Sequence, residues 1–150
     1  QDIVVKVGES FQQMLLRLID ERSLTDTEVY KKEIVGLKEK YAGQIDIRLG
    51  LEVEYYPDRM ADLFKLLAPY EIEYLILGQH FLYNEVERIY SGTATDEEAR
   101  LTQYVDQVLE GLATGAYSYL AHPDLIHFRG DARQYREHMV QPFQPHPQRP

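Results

Sequence analysis

Two histidines and one glutamate stand out because each lies at the end of an apolar segment of the chain. Glu52 lies late in an alternating apolar segment, His80 comes shortly after the run Tyr74–Gly78, and His122 directly follows the run Tyr117–Ala121. Two neutral imidazoles and a carboxylate are donors that zinc, manganese and iron accept. Three protein donors leave coordination positions for water or substrate, so the pattern predicts an open divalent-metal site.

Other polar residues near these three could take part in the same chemistry. Glu54 or Asp124 could replace Glu52 as the carboxylate ligand. Asp124 directly after Pro123 is, however, more typical of a residue that caps a turn or a helix. Arg129 could bind a phosphate group through two parallel hydrogen bonds, and a solvent-exposed surface arginine is the alternative.

Three segments that carry these residues have the patterns of β-strands. Residues 45–55 alternate apolar and polar side chains with a period of two, and Pro57 ends the segment. The short apolar runs at 72–77 and 117–121 are typical of strands covered on both faces, as in parallel sheets. The alternation places Glu52 on the face opposite to the one that would pack against helices.

Segments with helical periodicity precede and separate these strands. The predicted helices cover residues 9–22, 26–41, 58–68 and 96–114, and a further helix begins near Asp131. Thr25 with Glu28 has the spacing of a capping box at the start of the second helix. Thr95 with Glu98 has the same spacing at the start of the fourth helix, after a predicted loop at 83–95.

This order of elements predicts an α/β fold, because strands that alternate with crossover helices are parallel. The carboxyl ends of parallel strands meet at one edge, where α/β proteins build their active sites. We therefore expect Glu52, His80 and His122 to converge. Residues 1–140 are predicted to form one domain, and the proline-rich residues 141–150 a disordered or extraneous tail.

The composition excludes several classes of function. The chain has 150 residues and no cysteine, and its 16 lysines and arginines against 25 aspartates and glutamates give a net charge of −9. The absence of cysteine excludes disulfides, thiolate metal ligands and a cysteine nucleophile. The acidic balance argues against nucleic-acid partners and against an anionic membrane surface. We expect a cytoplasmic protein with divalent cations as partners.

Three motifs resemble the polymerase and histidinol phosphatase (PHP) superfamily, in its order and spacing. They are IRLGLEVEYYP at 47–57, LGQHFL at 77–82 and LAHPDL at 120–125. The likeness runs from about Tyr30 to about Met139 and is closest to the histidinol-phosphatase branch. It implies part of a distorted (β/α)7 TIM-like barrel with parallel strands, whose site holds two or three divalent metal ions (zinc, manganese or iron).

The resemblance also implies an activity and residue roles. The activity is metal-dependent hydrolysis of a small phosphomonoester, typically histidinol phosphate in histidine biosynthesis. By motif, Glu52 would be the metal-bridging carboxylate and His80 and His122 would be metal ligands. Arg129 is a weaker candidate for binding the substrate phosphate. Another phosphomonoester, such as phosphotyrosine, remains an open alternative.

The chain departs from the family pattern at several positions. The family opens with an Asp-x-His-x-His strand, continues with an Asp-His pair and closes with an Asp-x-His motif, and the 150 residues contain none of these. We therefore expect an internal fragment of a barrel, whose other strands are absent or lie in a partner chain. Such a fragment would expose strand edges and form oligomers.

One alternative is a catalytically incomplete PHP-barrel fragment that binds a partner or assembles. A further interpretation, a proofreading-type module attached to a polymerase, predicts flanking nucleic-acid-binding domains, which these 150 residues do not contain.

Overall fold

The computed structural model describes residues 3–5, 21–84 and 87–140, with side chains from residue 29 onward. The predicted helix at 9–22 lies outside the described residues except for its last two positions. The predicted tail at 141–150 lies outside them entirely.

The centre of the fold is a sheet of four parallel strands, as the alternation of helices and strands predicts. The strands are β1 (Ile3–Val5), β2 (Ile47–Val53), β3 (Tyr74–Leu77) and β6 (Tyr117–Leu120), and they are adjacent in that order. Gly50 of β2 is opposite Tyr74 of β3, and Leu77 of β3 is opposite Leu120 of β6. The α/β prediction with parallel strands is confirmed, and the barrel remains a prediction.

The helix predicted at 26–41 is confirmed as α1, Glu21–Lys40, but its predicted start is wrong. The helix is already continuous from Glu21, so Thr25 lies inside it. An N-cap residue needs a non-helical backbone, which Thr25 does not have. The chain leaves the helix near Gly43, whose φ of 77° is a left-handed conformation that glycine adopts without strain.

Two further helices cross over between the parallel strands. Helix α2 (Met60–Leu67) follows a 3₁₀ turn that begins at Pro57, and it leads from β2 to β3. Helix α3 (Glu98–Ala113) leads to β6. The predicted capping box of α3 is wrong, because Glu97 is the N-cap and the Thr95 hydroxyl accepts the Glu97 N–H instead, at 3.2 Å.

The prediction of a loop at 83–95 is wrong in part, because this connection contains a short strand. Strands β4 (Phe81–Leu82) and β5 (Ile89–Tyr90) form a small antiparallel pair. They are only two residues long, too short for any alternation to be visible in the sequence. The Ser91 N–H donates to the His80 carbonyl at 2.7 Å, so this pair continues from the end of β3.

The last described helix is α4 (Ala132–Val140), close to its predicted start. The Asp131 carboxylate accepts the N–H groups of Arg133 and Gln134, at 2.8 and 3.1 Å. These bonds satisfy donors that have no partner inside the helix, which explains why the helix begins there.

The apolar core lies between one face of the sheet and helices α2 and α3. The buried residues at its centre include Leu51, Val53, Leu75 and Leu77 from the strands. A second, smaller cluster packs Ile34 of α1 against the amino-terminal half of β2. The helices thus cover the face opposite to Glu52, as the period-two pattern predicts. Within the described ranges, the helices are too short or too polar to cross a membrane.

Candidate metal centre

Glu52 lies near the carboxyl end of β2 with its carboxylate inside the protein. Only 4% of its side chain is exposed. The neighbouring strand makes room for it, because a Cβ on Gly78 would lie 2.3 Å from Glu52 Oε1. A buried carboxylate is stable only next to donors or cations, so its neighbours determine what it does.

His80 follows β3 and stands beside this carboxylate. Its Nε2 atom lies 3.7 Å from Glu52 Oε1, and its Nδ1 atom lies 3.3 Å from Glu54 Oε1. One third of the His80 side chain is exposed, so the ring borders solvent. The imidazole therefore lies between two buried carboxylates, with one nitrogen facing each.

His122 follows β6, the strand beyond β3, and also lies against Glu52. Its Nε2 atom lies 3.0 Å from Glu52 Oε1, and its ring centroid lies 4.9 Å from that of His80. The backbone of His122 has a φ of 34°, in a region that residues other than glycine rarely adopt. The Ala121 N–H bond to Leu77 and the Leu125 N–H bond to His122 hold this turn in place.

The three side chains are close enough together to hold one cation. One donor atom from each lies within 4.8 Å of the others. Two ligands of a tetrahedral zinc are about 3.4 Å apart when each bond is about 2.1 Å. The distances of 3.0 and 3.7 Å to Glu52 Oε1 lie on either side of that value. The donor set and its spacing fit a divalent metal.

Glu54, the first alternative carboxylate, is buried but already engaged. Its Oε2 atom accepts the Tyr56 hydroxyl at 2.5 Å and the Phe81 N–H at 2.9 Å. Its Oε1 atom faces His80. Glu54 is therefore next to the three candidate ligands without pointing into the same space. Asp124, the second alternative, is exposed and lies in the adjacent cleft.

The backbone that carries Glu54 is fixed from the helix-facing side of the sheet. The Tyr117 hydroxyl donates to the Glu54 carbonyl at 3.1 Å. Burial, with smaller contributions from Tyr55 and Glu54, raises the pKa of Tyr117 well above its usual range. The phenol therefore stays protonated at neutral pH and can donate this hydrogen bond.

An open cleft of about 630 Å³ begins at His122. Its walls include Tyr90, Phe128 and Tyr135, and the last two rings stack with centroids 6.4 Å apart. Asp124 and His127 supply polar groups along the same cleft. A molecule that reached the three candidate ligands from this side would contact aromatic rings.

Arg129, the predicted phosphate ligand, is exposed and belongs to the segment that borders the cleft. Its Nε atom donates to His127 Nε2 at 3.3 Å. Its backbone N–H donates to the Thr95 carbonyl at 2.7 Å. Its role in phosphate binding remains a prediction.

Sequence reasoning missed two residues that shape the centre. Gly78 leaves the space that the Glu52 carboxylate occupies, and the only sequence signal is a glycine directly after an apolar strand. Gln79 is fully buried, and its side chain bonds Tyr55 N–H and the Phe81 carbonyl. Nothing in the sequence pattern distinguishes Gln79 from an exposed loop glutamine.

Comparison with known proteins gives partial matches to one kind of enzyme. The probable histidinol-phosphatase of Deinococcus radiodurans is 26% identical over 100 residues, which are 64% of this chain and 38% of that protein. The histidinol-phosphatase of Bacillus subtilis is 43% identical over 58 residues, which are 37% of this chain and 21% of that protein.

The chain thus spans well under half the length of these two relatives. No family model matches the chain, and no solved structure matches it. The chain is similar to histidinol-phosphatases, and it carries a Glu–His–His group that could bind a metal ion.

Proposed function

We propose that this chain carries part of the metal centre of a phosphomonoesterase that hydrolyses histidinol phosphate. The observation that carries the proposal is the convergence of Glu52, His80 and His122 on one side of a parallel sheet. The partial matches to two histidinol-phosphatases support the same activity. Membership of the PHP superfamily, with its larger metal cluster and its barrel, is part of the proposal.

The electrostatics of the site favour a cation-dependent reaction. We place the reacting phosphate at the three candidate ligands, where Glu52 and the neighbouring Glu54 are two buried carboxylates. Two carboxylates repel a phosphate dianion, and burial weakens the screening that water would provide. A divalent cation, when bound, would neutralise phosphoryl charge and lower the pKa of the attacking water. The three candidate ligands would hold it.

The cleft beside His122 is where we place the organic part of the substrate. Tyr90, Phe128 and Tyr135 offer aromatic surface, on which a planar group can pack. The same surface would also accept the phenyl ring of phosphotyrosine. Histidinol phosphate and phosphotyrosine are therefore the two substrates to compare directly, with phosphate release as the assay.

Metal binding by purified protein tests the proposal before any activity is measured. Metal-free protein is dialysed against zinc, manganese or iron, and bound metal is counted by elemental analysis. Wild type should bind metal at a defined stoichiometry. Glu52→Gln, His80→Ala and His122→Ala should each weaken binding by about 100-fold or more, since removing an outer partner alone costs about 10–100-fold.

His127→Ala is the matched control, because His127 lines the same cleft but is not one of the three candidate ligands. It should bind metal as wild type does. Wild type that binds no metal, with unchanged folding in the His80 and His122 variants, would contradict the metal site. That result would favour the alternative, a fragment that binds a partner or assembles.

A further inference from the structure

We propose that Glu54 is a positioning residue that fixes the ring and tautomer of His80, so that Nε2 keeps its lone pair for the metal. The inference rests on the proposed function, because it assumes His80 is a ligand through Nε2. It assigns Glu54 a task different from that of a ligand.

The Glu54 carboxylate is fixed by groups on both sides of His80 in the chain. Its Oε2 atom accepts the Phe81 N–H at 2.9 Å and lies 3.5 Å from the Gln79 side-chain nitrogen. The Tyr56 hydroxyl is a third donor, at 2.5 Å. Only 2% of the Glu54 side chain is exposed, so water is a minor competitor for these bonds.

Gln79 links the same two segments through two further hydrogen bonds. Its Oε1 atom accepts the Tyr55 N–H at 3.1 Å, and its Nε2 atom donates to the Phe81 carbonyl at 2.7 Å. The end of β2 and the turn that carries His80 are therefore one hydrogen-bonded unit. This unit leaves the Glu54 Oε1 atom pointing at the His80 ring.

The contact between Glu54 and His80 determines which ring nitrogen carries the proton. Glu54 Oε1 lies 3.3 Å from His80 Nδ1, while His80 Nε2 faces Glu52 at 3.7 Å. Both carboxylates, when ionised, only accept hydrogen bonds, and Glu54 is the nearer of the two, so its position favours the proton of a neutral ring on Nδ1. Nε2 then has a free lone pair, as a metal ligand requires.

Replacement of Glu54 by glutamine should invert this arrangement. Three donors converge where Oε2 now lies, so the amide oxygen of Gln would take that position. The amide NH2 would then face His80 Nδ1 and donate to it. The ring proton would move to Nε2, which would remove the lone pair from the side of Glu52.

The experiment measures the tautomer of His80 and the metal affinity in the same proteins. Nitrogen-15 NMR of metal-free protein at about pH 8.5, where imidazoles are neutral, reports which ring nitrogen is protonated. Wild type should show protonated Nδ1, and Glu54→Gln should show protonated Nε2. Titration with zinc alone should give about 10–100-fold weaker binding for Glu54→Gln.

Glu73→Gln is the matched control, because Glu73 also accepts a backbone N–H but lies at the opposite end of the sheet. It should change neither the tautomer nor the affinity. Wild type with protonated Nε2 overturns the inference, even if Glu54→Gln fails to fold. Unchanged tautomer and affinity in a folded Glu54→Gln variant also overturn it.

The two proposals can fail separately. A wild type that binds no zinc, but whose His80 tautomer inverts in Glu54→Gln, supports the positioning role and overturns the proposed function. A wild type that binds zinc with equal affinity in Glu54→Gln overturns the positioning role and leaves the proposed function standing.

Discussion

Two glutamates at opposite ends of the same sheet show how differently a carboxylate can be satisfied. Glu73, just before β3, accepts the Leu49 N–H at 2.7 Å and pairs with Lys38. Burial acts to raise the pKa of Glu73, but the Leu49 N–H, Lys38 and Arg48 outweigh burial and leave it below its usual range. At this end of the sheet, the Glu73 carboxylate therefore has a lysine ammonium and a backbone N–H as partners.

Glu52, at the carboxyl end, lies deeper and has different neighbours. Its carboxylate faces His80 and His122, whose rings are charged only when protonated. At the amino end of the parallel strands, Glu73 thus forms an ion pair with a lysine. At their carboxyl end, a carboxylate and two imidazoles lie close together. Both carboxylates have partners nearby, but only Glu52 has imidazoles as partners, and these can bind a metal ion together with it.

The largest expected effect that separates the two ends is metal-dependent stability. A ligand that binds only the folded state at about 100 times its Kd stabilises by about 2.7 kcal/mol. Zinc should therefore raise the free energy of unfolding of wild type by that amount, measured by urea denaturation, and a chelator should reverse it.

Variants at the two ends of the sheet should differ in how much zinc stabilises them. Glu52→Gln should lose the zinc effect, while Glu73→Gln should keep it. An equal gain in both variants would show that zinc binds somewhere other than the carboxyl end.

Two glycines on the same face of the sheet give a second, smaller contrast. A Cβ on Gly78 would lie 2.3 Å from Glu52 Oε1, and a Cβ on Gly50 would lie 2.1 Å from the Tyr74 ring. Overpacking of this kind costs about 1–3 kcal/mol. Gly78→Ala and Gly50→Ala should therefore both lower the free energy of unfolding in metal-free protein.

Only the Gly78 substitution should also reduce zinc affinity, because only that Cβ displaces a candidate ligand. Calorimetric titration of both variants checks this. Equal zinc affinity in the two variants would mean that the Glu52 carboxylate does not need its present position.

The smallest expected effect concerns acid stability at the amino end. Because the pKa of Glu73 is lowered on folding, Glu73 stabilises the protein above the unfolded-state pKa of about 4.3. That contribution is lost as the pH falls through the folded-state pKa. Glu73→Gln should therefore cost below about 1 kcal/mol near neutral pH, since the pair is partly exposed, and should lose less stability than wild type below about pH 4.

Glu71→Gln is the control for this acid effect. Glu71 pairs with Lys31 at the same end of the sheet, but its carboxylate is exposed. Urea denaturation at several pH values should show a smaller change for Glu71→Gln than for Glu73→Gln. The opposite order would indicate that the Leu49 N–H bond contributes little.

The sequence could predict the strands of the site because side-chain direction in a strand alternates locally. The period of two at 45–55 gives both the strand and the face of Glu52, and the helices between strands imply that strand ends meet. Local sequence patterns were therefore enough to predict that Glu52, His80 and His122 lie close together.

The remaining features depend on contacts between residues distant in the chain. Glu54 has the same alternation as Glu52, yet its partners Phe81 and His80 come from the end of another strand. Strands β4 and β5 are held by pairing with each other, without a pattern of their own. The sequence motifs suggest a barrel, but its closure requires strands beyond the four parallel strands described.

The most direct test is a zinc-soaked crystal studied by anomalous diffraction at the zinc absorption edge. We expect one anomalous peak within about 2.0–2.2 Å of Glu52 Oε1, His80 Nε2 and His122 Nε2. An anomalous peak elsewhere, or none at saturating zinc with these side chains arranged as described, would contradict the shared metal site.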